Sequence, residues 1–311
     1  MKAYLKLIRW QNLLIMGATM FLVRYYLIRQ PLLLAGADLV VSPLNFGMLV
    51  MAMLLIGAAG YVINDVFDMD IDSLNKAGGQ TVGVSVSVKA AKNMYWIFNG
   101  LAMIIGAYLG YLVHNWQFTI ILAMVAGLLW FYSERYKRQV LVGNLVVAFI
   151  AAAGIIIVWL LEFFYLRSET TTFVEVAGVM PLMSGLVFAY ALFAFLSTFA
   201  REVVKDLQDM PGDARFGCRT LPVVYGETAS RNFGIGLLAI LVVMIGFWQY
   251  VLFIRQMHTA TCVLLIADAL GIAALIRLAL SSTPAHYKQV SSLIKLLMLA
   301  GLVSIVFLQS K

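Results

Sequence analysis

Two short runs of aspartate share one spacing. The first reads Asn64-Asp65-Val66-Phe67-Asp68-Met69-Asp70-Ile71-Asp72, and the second runs from Arg201-Glu202 through Lys205-Asp206 and Asp209 to Gly212-Asp213. Together they hold eight of the fifteen acidic residues in the chain. Asp65, Asp68 and Asp72 fall at i, i+3 and i+7, and so do Asp206, Asp209 and Asp213. On a helix, those offsets place three carboxylates on one face, where they repel unless a cation binds. Hard carboxylate oxygens suit Mg²⁺, which favours one or two carboxylates completed by phosphate oxygens and water. Two facing stripes could hold metal ions that clamp a diphosphate and neutralise its charge as a C–O bond breaks. The six aspartates are therefore the candidate metal ligands and catalytic groups. Solvated helix ends are the bland alternative. One run alone would favour it, but two copies with one spacing argue against it.

A diphosphate also needs protein cations. Lys76, Lys137, Arg138, Arg201, Lys205 and Arg219 are the candidates, with Lys76 and Lys205 foremost because they adjoin the carboxylates. Arg can grip phosphate oxygens in pairs, whereas Lys acts as a point charge. Aromatic faces could stabilise a carbocation left by the departing diphosphate. Phe67, Tyr132, Tyr136 and Tyr190 are possible wall residues, and Tyr132 leads because it falls at the end of the fourth apolar block. Cys218, Cys262 and the scattered His114, His258 and His286 have no metal-ligand spacing.

The surrounding elements must be membrane helices. Of 311 residues, 63% are hydrophobic and only 12% charged, about half the charged share of a soluble domain. Nine apolar blocks lie near 8–28, 44–64, 93–113, 117–133, 141–162, 176–200, 232–254, 258–280 and 290–309. Each is long enough to cross roughly 30 Å of hydrocarbon as a helix. The first is too long for a signal-peptide core and is followed by no small-residue cleavage site. With the N-terminus in the cytoplasm, sixteen Lys and Arg fall in cytoplasmic segments and four (Arg29, Arg167, Arg255, Lys311) on the other side. Arg24 and Lys295 fall within spans. That asymmetry matches the positive-inside rule and puts both aspartate runs on the cytoplasmic side. It also accounts for the net charge of +7 without a nucleic-acid partner. Gln11-Asn12-Leu13-Leu14 opens the first span and Gly143-Asn144-Leu145-Val146 the fifth, each one span before an aspartate run. The expectation is an all-α polytopic membrane protein: two related four-helix halves plus a ninth helix, with the site at the repeat interface.

Asn64 to Asp72 resembles the NDxxDxxxD motif of the UbiA superfamily of intramembrane prenyltransferases, and Asp206 to Asp213 resembles its second motif. Arg201-Glu202, Lys205-Asp206, Asp209, Gly212-Asp213, Gly217 and Thr220-Leu221-Pro222 are most similar to digeranylgeranylglyceryl phosphate synthase-like members. The resemblance implies one transmembrane prenyltransferase domain over 1–311 and Mg²⁺-dependent transfer of a geranylgeranyl group. The donor would be a prenyl diphosphate, and the acceptor a lipophilic molecule such as a glycerol-phosphate lipid. It also implies substrate-binding roles for Asn12, Asn64, Lys76, Tyr132, Lys137, Asn144, Arg201 and Lys205. Arg9-Trp10-Gln11-Asn12 and Tyr132-Ser133 look like further family positions. One stretch departs from the pattern: Ala77 replaces an expected Pro, and Gly79 and Val84 replace expected cations.

The expected setting is the lipid of a plasma (inner) membrane, with the active site facing the cytoplasm. An aromatic, quinone-pathway acceptor, a transporter, or a metal-binding but inactive member are the competing readings. The first would need a stacking pocket, the second sites at the midplane, and the third gains from Gly79 and Val84.

Overall fold

The computed structural model describes residues 2–69 and 81–308. The described residues contain nine helices long and apolar enough to cross a membrane. The chain forms two compact units, Met1–Tyr136 with Ala153–Val187 and Lys137–Ala152 with Phe188–Lys311.

The first unit opens with α1 (Lys2–Leu7) and α2 (Trp10–Leu22), a π-helical stretch Val23–Ile28, and α3 (Arg29–Leu34). There follow α4 (Pro43–Phe67), α5 (Val88–Leu112) and α6 (Trp116–Glu134). Most of α7 (Val142–Ser168), the short α8 (Thr170–Val176) and the start of α9 (Met180–Arg215) complete it. Helix α4 packs on α2, α5 and α6. It buries twelve residues, from Phe46 to Val66. Its small residues permit close approach: a Cβ on Gly57 would meet Leu13 and Met16 of α2 at 3.2 Å, and one on Gly60 would meet Leu129 of α6 at 2.9 Å. Small residues are the usual means of helix contact in lipid, where no hydrophobic force draws helices together.

The second unit holds the start of α7, the rest of α9, α10 (Leu221–Tyr225), α11 (Glu227–Ile254), α12 (His258–Ala279) and α13 (Pro284–Ser304). Its core joins Phe199, Ala200, Val203, Val204 and Leu207 of α9 to Leu237, Leu238 and Leu241 of α11 and to Ile294 and Leu297 of α13.

Several spans start outside the apolar blocks because polar caps lengthen them. Ser42 accepts from Asn45 N before α4, Ser87 from Ala90 N before α5, and Thr283 from His286 N before α13. Pro43 and Pro284 sit in the first helical turns, where a missing N–H costs nothing. The first span runs from Trp10 to Leu34, past the expected 28. Within it Arg24 is 1% exposed. Its Nη2 donates to the Val41 carbonyl, while Glu162 Oε1 accepts from Val40 N at 2.6 Å and Val41 N at 3.2 Å. Two charged residues inside spans thus fasten the turn before α4, where lipid would leave them without partners. In the same turn Asp38 accepts from Arg29 Nε at 2.7 Å and Nη2 at 2.8 Å. Those bonds hold the Asp38 carboxyl at about 2. The clasp is therefore present above the ordinary carboxylate range and is lost as the pH falls through about 2.

Candidate active site

In the first unit the aspartate run begins on the last turn of α4. The helix ends at Phe67 and Asp68 caps it with φ −93° and ψ 2°. Asp65 on α4 and Asp68 at its cap are the described part of the expected stripe. Asn64 Nδ2 donates to Asp68 Oδ2 at 2.9 Å. Arg9 Nη2 donates to Asp65 Oδ1 at 3.2 Å, and its guanidinium carbon lies 4.8 Å from the Tyr61 ring centroid. Asn12 Nδ2 donates to the Tyr61 hydroxyl at 3.2 Å. Arg9 and Asn12 thus meet the acidic end of α4 in space. Asp72 and Lys76 lie outside the described residues, as does Gly79. Val84 is 75% exposed, so the position of the second expected cation is an open surface.

Phe67 stacks edge-to-face on Trp130 with centroids 5.4 Å apart, and Trp130 in turn contacts Tyr95 and Trp96. Sequence reasoning found Phe67 but missed these three rings. Tyr61 was missed too, although it precedes Asp65 by one turn and so shares its face. Tyr132, near the C-terminal end of α6, is half-buried.

In the second unit the stripe forms as expected. α9 runs unbroken through Pro211 to Arg215 and carries Asp206, Asp209 and Asp213 on one helix. Arg215 lies in its last turn, where a cation complements the helix dipole. Asn144 is 7% exposed, and its Nδ2 donates to Asp206 Oδ2 at 2.9 Å. The buried Glu202 accepts from Arg201 Nη1 at 3.1 Å and from Lys205 Nζ at 2.9 Å. One carboxylate therefore holds both expected phosphate-facing cations one turn before Asp206. Lys137 lies in a short 3₁₀ turn, Tyr136–Arg138. The Arg138 carbonyl in that turn accepts from Arg219 N at 2.9 Å, so two of the candidate cations share one backbone link.

Tyr190 does not stand beside the carboxylates of its own helix, α9. It precedes Asp206 by sixteen residues on α9, about 24 Å along a helix, and its hydroxyl pairs with Ser304 Oγ at 2.8 Å. Among the described residues, no three His, Cys, Asp or Glu side chains converge to hold a metal on their own. Mg²⁺ takes few carboxylates and completes its shell from phosphate and water. The donors are hard oxygens, and amides already orient two of them, which suits this ion and not a soft one.

The UbiA prenyltransferase family model matches residues 22–299. The digeranylgeranylglyceryl phosphate synthase of Methanobrevibacter smithii is 34% identical over 183 residues, 59% of this chain and 59% of that one. The enzyme of the same name from Sulfurisphaera tokodaii is 28% identical over 225 residues, 72% of this chain and 70% of that one. A solved UbiA homolog from Archaeoglobus fulgidus, bound to GPP and Mg²⁺, superposes with a TM-score of 0.58 at 16% identity. That superposition covers 98% of this chain and 99% of the homolog.

Proposed function

Because this chain belongs to the UbiA prenyltransferase family, we propose that it is a membrane enzyme that transfers a geranylgeranyl group from its diphosphate to a glycerol-phosphate lipid. The observation that carries the reading is the repeated aspartate run with an amide on each copy: Asn64 on Asp68 and Asn144 on Asp206. The relatives named as digeranylgeranylglyceryl phosphate synthases support the donor chain and the acceptor class. The homolog bound to GPP and Mg²⁺ supports the metal. The proposal takes 1–311 as one catalytic domain in the plasma (inner) membrane, with its carboxylates on the cytoplasmic side.

In this reading Asp65, Asp68, Asp206, Asp209 and Asp213 hold Mg²⁺, together with Asp72. Bound Mg²⁺ supplies charge neutralisation for the leaving diphosphate. Asn64 and Asn144 each orient a carboxylate, of Asp68 and of Asp206, by donating to one of its oxygens. Glu202 holds Arg201 and Lys205 in position for phosphate oxygens, and Lys76 and Lys137 add positive charge. Asn12 and Tyr132 line the substrate. The acceptor hydroxyl oxygen bonds to C1 of the prenyl chain, and its proton is released. The C1–oxygen bond to the diphosphate breaks, and the diphosphate leaves with the electron pair.

The test is Mg²⁺-dependent diphosphate release from geranylgeranyl diphosphate by purified protein, with and without a glycerol-phosphate lipid acceptor. Release should require both acceptor and Mg²⁺ and vanish on chelation. In Asp68→Asn it should fall by about a hundredfold or more with helicity unchanged. Near-normal release by that variant would sink the metal assignment. Release that requires an aromatic acceptor instead would move the chain to the quinone-pathway reading.

A further inference from the structure

We propose that Thr198 determines acceptor specificity: its hydroxyl donates to the oxygen that joins the acceptor's glycerol to its existing chain. This rests on the prenyl-transfer reading and adds to it a contact inside the membrane.

A helical Ser or Thr can satisfy its hydroxyl on the carbonyl one turn back. Thr19, Ser133, Ser197, Ser230, Thr261 and Ser292 all do so in this chain. Thr198, in the middle of α9, does not. The residue is 6% exposed, and among the described residues its Oγ1 has no hydrogen-bond partner. A buried hydroxyl left unpaired is costly, so a ligand atom that accepts from it gains what the free protein forgoes.

The place on the helix narrows the ligand. α9 meets the core of its unit through Phe199, Ala200, Val203, Val204 and Leu207. At about 100° per residue, Thr198 lies on the opposite face. It shares that face with Glu202, Lys205 and Asp209, which follow at i+4, i+7 and i+11. Arg201, one turn on, also has a buried Nε without a partner. Two donors on successive turns thus lack protein acceptors, beside the groups assigned to metal and phosphate.

Depth separates the two substrates. Thr198 lies about 12 Å along α9 from Asp206, toward the middle of the span. At that remove a prenyl diphosphate offers only hydrocarbon, because its oxygens stay with the metal. The acceptor's reacting hydroxyl must reach C1 beside the diphosphate, and its phosphate needs cations. Its linkage oxygen remains, at the head of its hydrocarbon chain. Such an oxygen has lone pairs and no proton, so it can only accept, and a threonine hydroxyl can donate. A site built to hydrogen-bond one ligand atom rejects an analogue that lacks it.

The test uses the full chain in nanodiscs and compares the parent with Thr198→Val and Thr198→Ser. Two acceptors are supplied: a glycerol-phosphate lipid with an ether-linked chain, and the same lipid with CH₂ in place of that ether oxygen. In the parent, KM for the ether lipid should be about tenfold below KM for the methylene analogue. Thr198→Val should lose that preference and Thr198→Ser should keep it. The KM for geranylgeranyl diphosphate should stay within twofold throughout. A threonine that only supports the fold would shift both acceptors alike, so equal discrimination by the parent and Thr198→Val would overturn the contact. Thermal melts give a readout without turnover. With no ligand, Thr198→Val should melt no lower than the parent, since it removes an unpaired buried hydroxyl and keeps the side chain's shape. A lower melt would mean that the protein itself holds the hydroxyl, and would also overturn the contact. The ether lipid should raise the melting temperature of the parent more than that of Thr198→Val, and the methylene analogue should not distinguish them. Equal shifts by the ether lipid, or none, would assign the hydroxyl to water. Absent transfer in the parent refutes the catalytic reading, while the melts still decide whether Thr198 meets the acceptor.

Discussion

Asn144 and Asn12 show how much of the site a residue-by-residue reading reaches. Each lies near the start of a span that precedes an aspartate run, and each donates to the helix that carries that run. Asn144 reaches Asp206 itself, at 2.9 Å. Asn12 reaches Tyr61, one turn before Asp65. Supporting bonds to a metal ligand fix its orientation, and losing one costs roughly 10–100-fold in metal affinity or activity. Asn144→Ala should therefore raise the Mg²⁺ concentration for half-maximal transfer by about that factor, with unchanged circular dichroism. An unshifted Mg²⁺ titration would make Asn144 a packing residue. Glu202 was not foreseen as more than a member of the second run. Its role comes from burial between Arg201 and Lys205, and burial has no mark in a run of charged residues.

Helices carry the aspartates only as well as they pack, and glycine sets how closely they approach. In α12 a Cβ on Gly271 would meet Val242 Cγ2 of α11 at 2.9 Å and Leu297 Cδ1 of α13 at 3.0 Å. Both are tighter than ordinary contact, and they press from two sides. Gly271→Val should destabilise the protein by about 1–3 kcal/mol, the cost of overpacking. At Gly127 a methyl group would find open space, with nothing within 4 Å, so this position should accept Ala with no loss. Thermal melts in detergent compare the two, and equal melting temperatures would refute the close approach. The helical setting of the aspartate runs belongs to this scale as well. The shared i, i+3, i+7 spacing foretold one helical stripe each. α9 provides it for Asp206, Asp209 and Asp213; of the first run, Asp72 lies outside the described residues.

At the scale of the whole chain, the nine candidate spans among the described residues predict termini on opposite sides of the membrane. In a background with Cys218 and Cys262 replaced by Ser, Gln256→Cys should react with an impermeant thiol reagent added outside intact cells. Arg135→Cys should react only after permeabilisation. Both positions are exposed, so labelling of both from one side would overturn the span count or the orientation. Hydropathy made the all-α membrane class legible because lipid forces every backbone polar group into local hydrogen bonds, and the apolar length needed is written in the chain. The paired aspartates were legible for a similar reason, since charge beside a membrane span is costly and persists where it serves a purpose. The sequence by itself therefore determined the class, the number of spans and the two acidic runs. Only the tertiary structure decided that Arg9 meets Asp65, that Glu202 holds Arg201 and Lys205, that Arg24 and Glu162 secure the turn before α4, and that Tyr190 pairs with Ser304, far along α9 from Asp206. Those pairings join residues that packing brings together, many of them far apart in the chain, and local composition carries no record of which partners will meet.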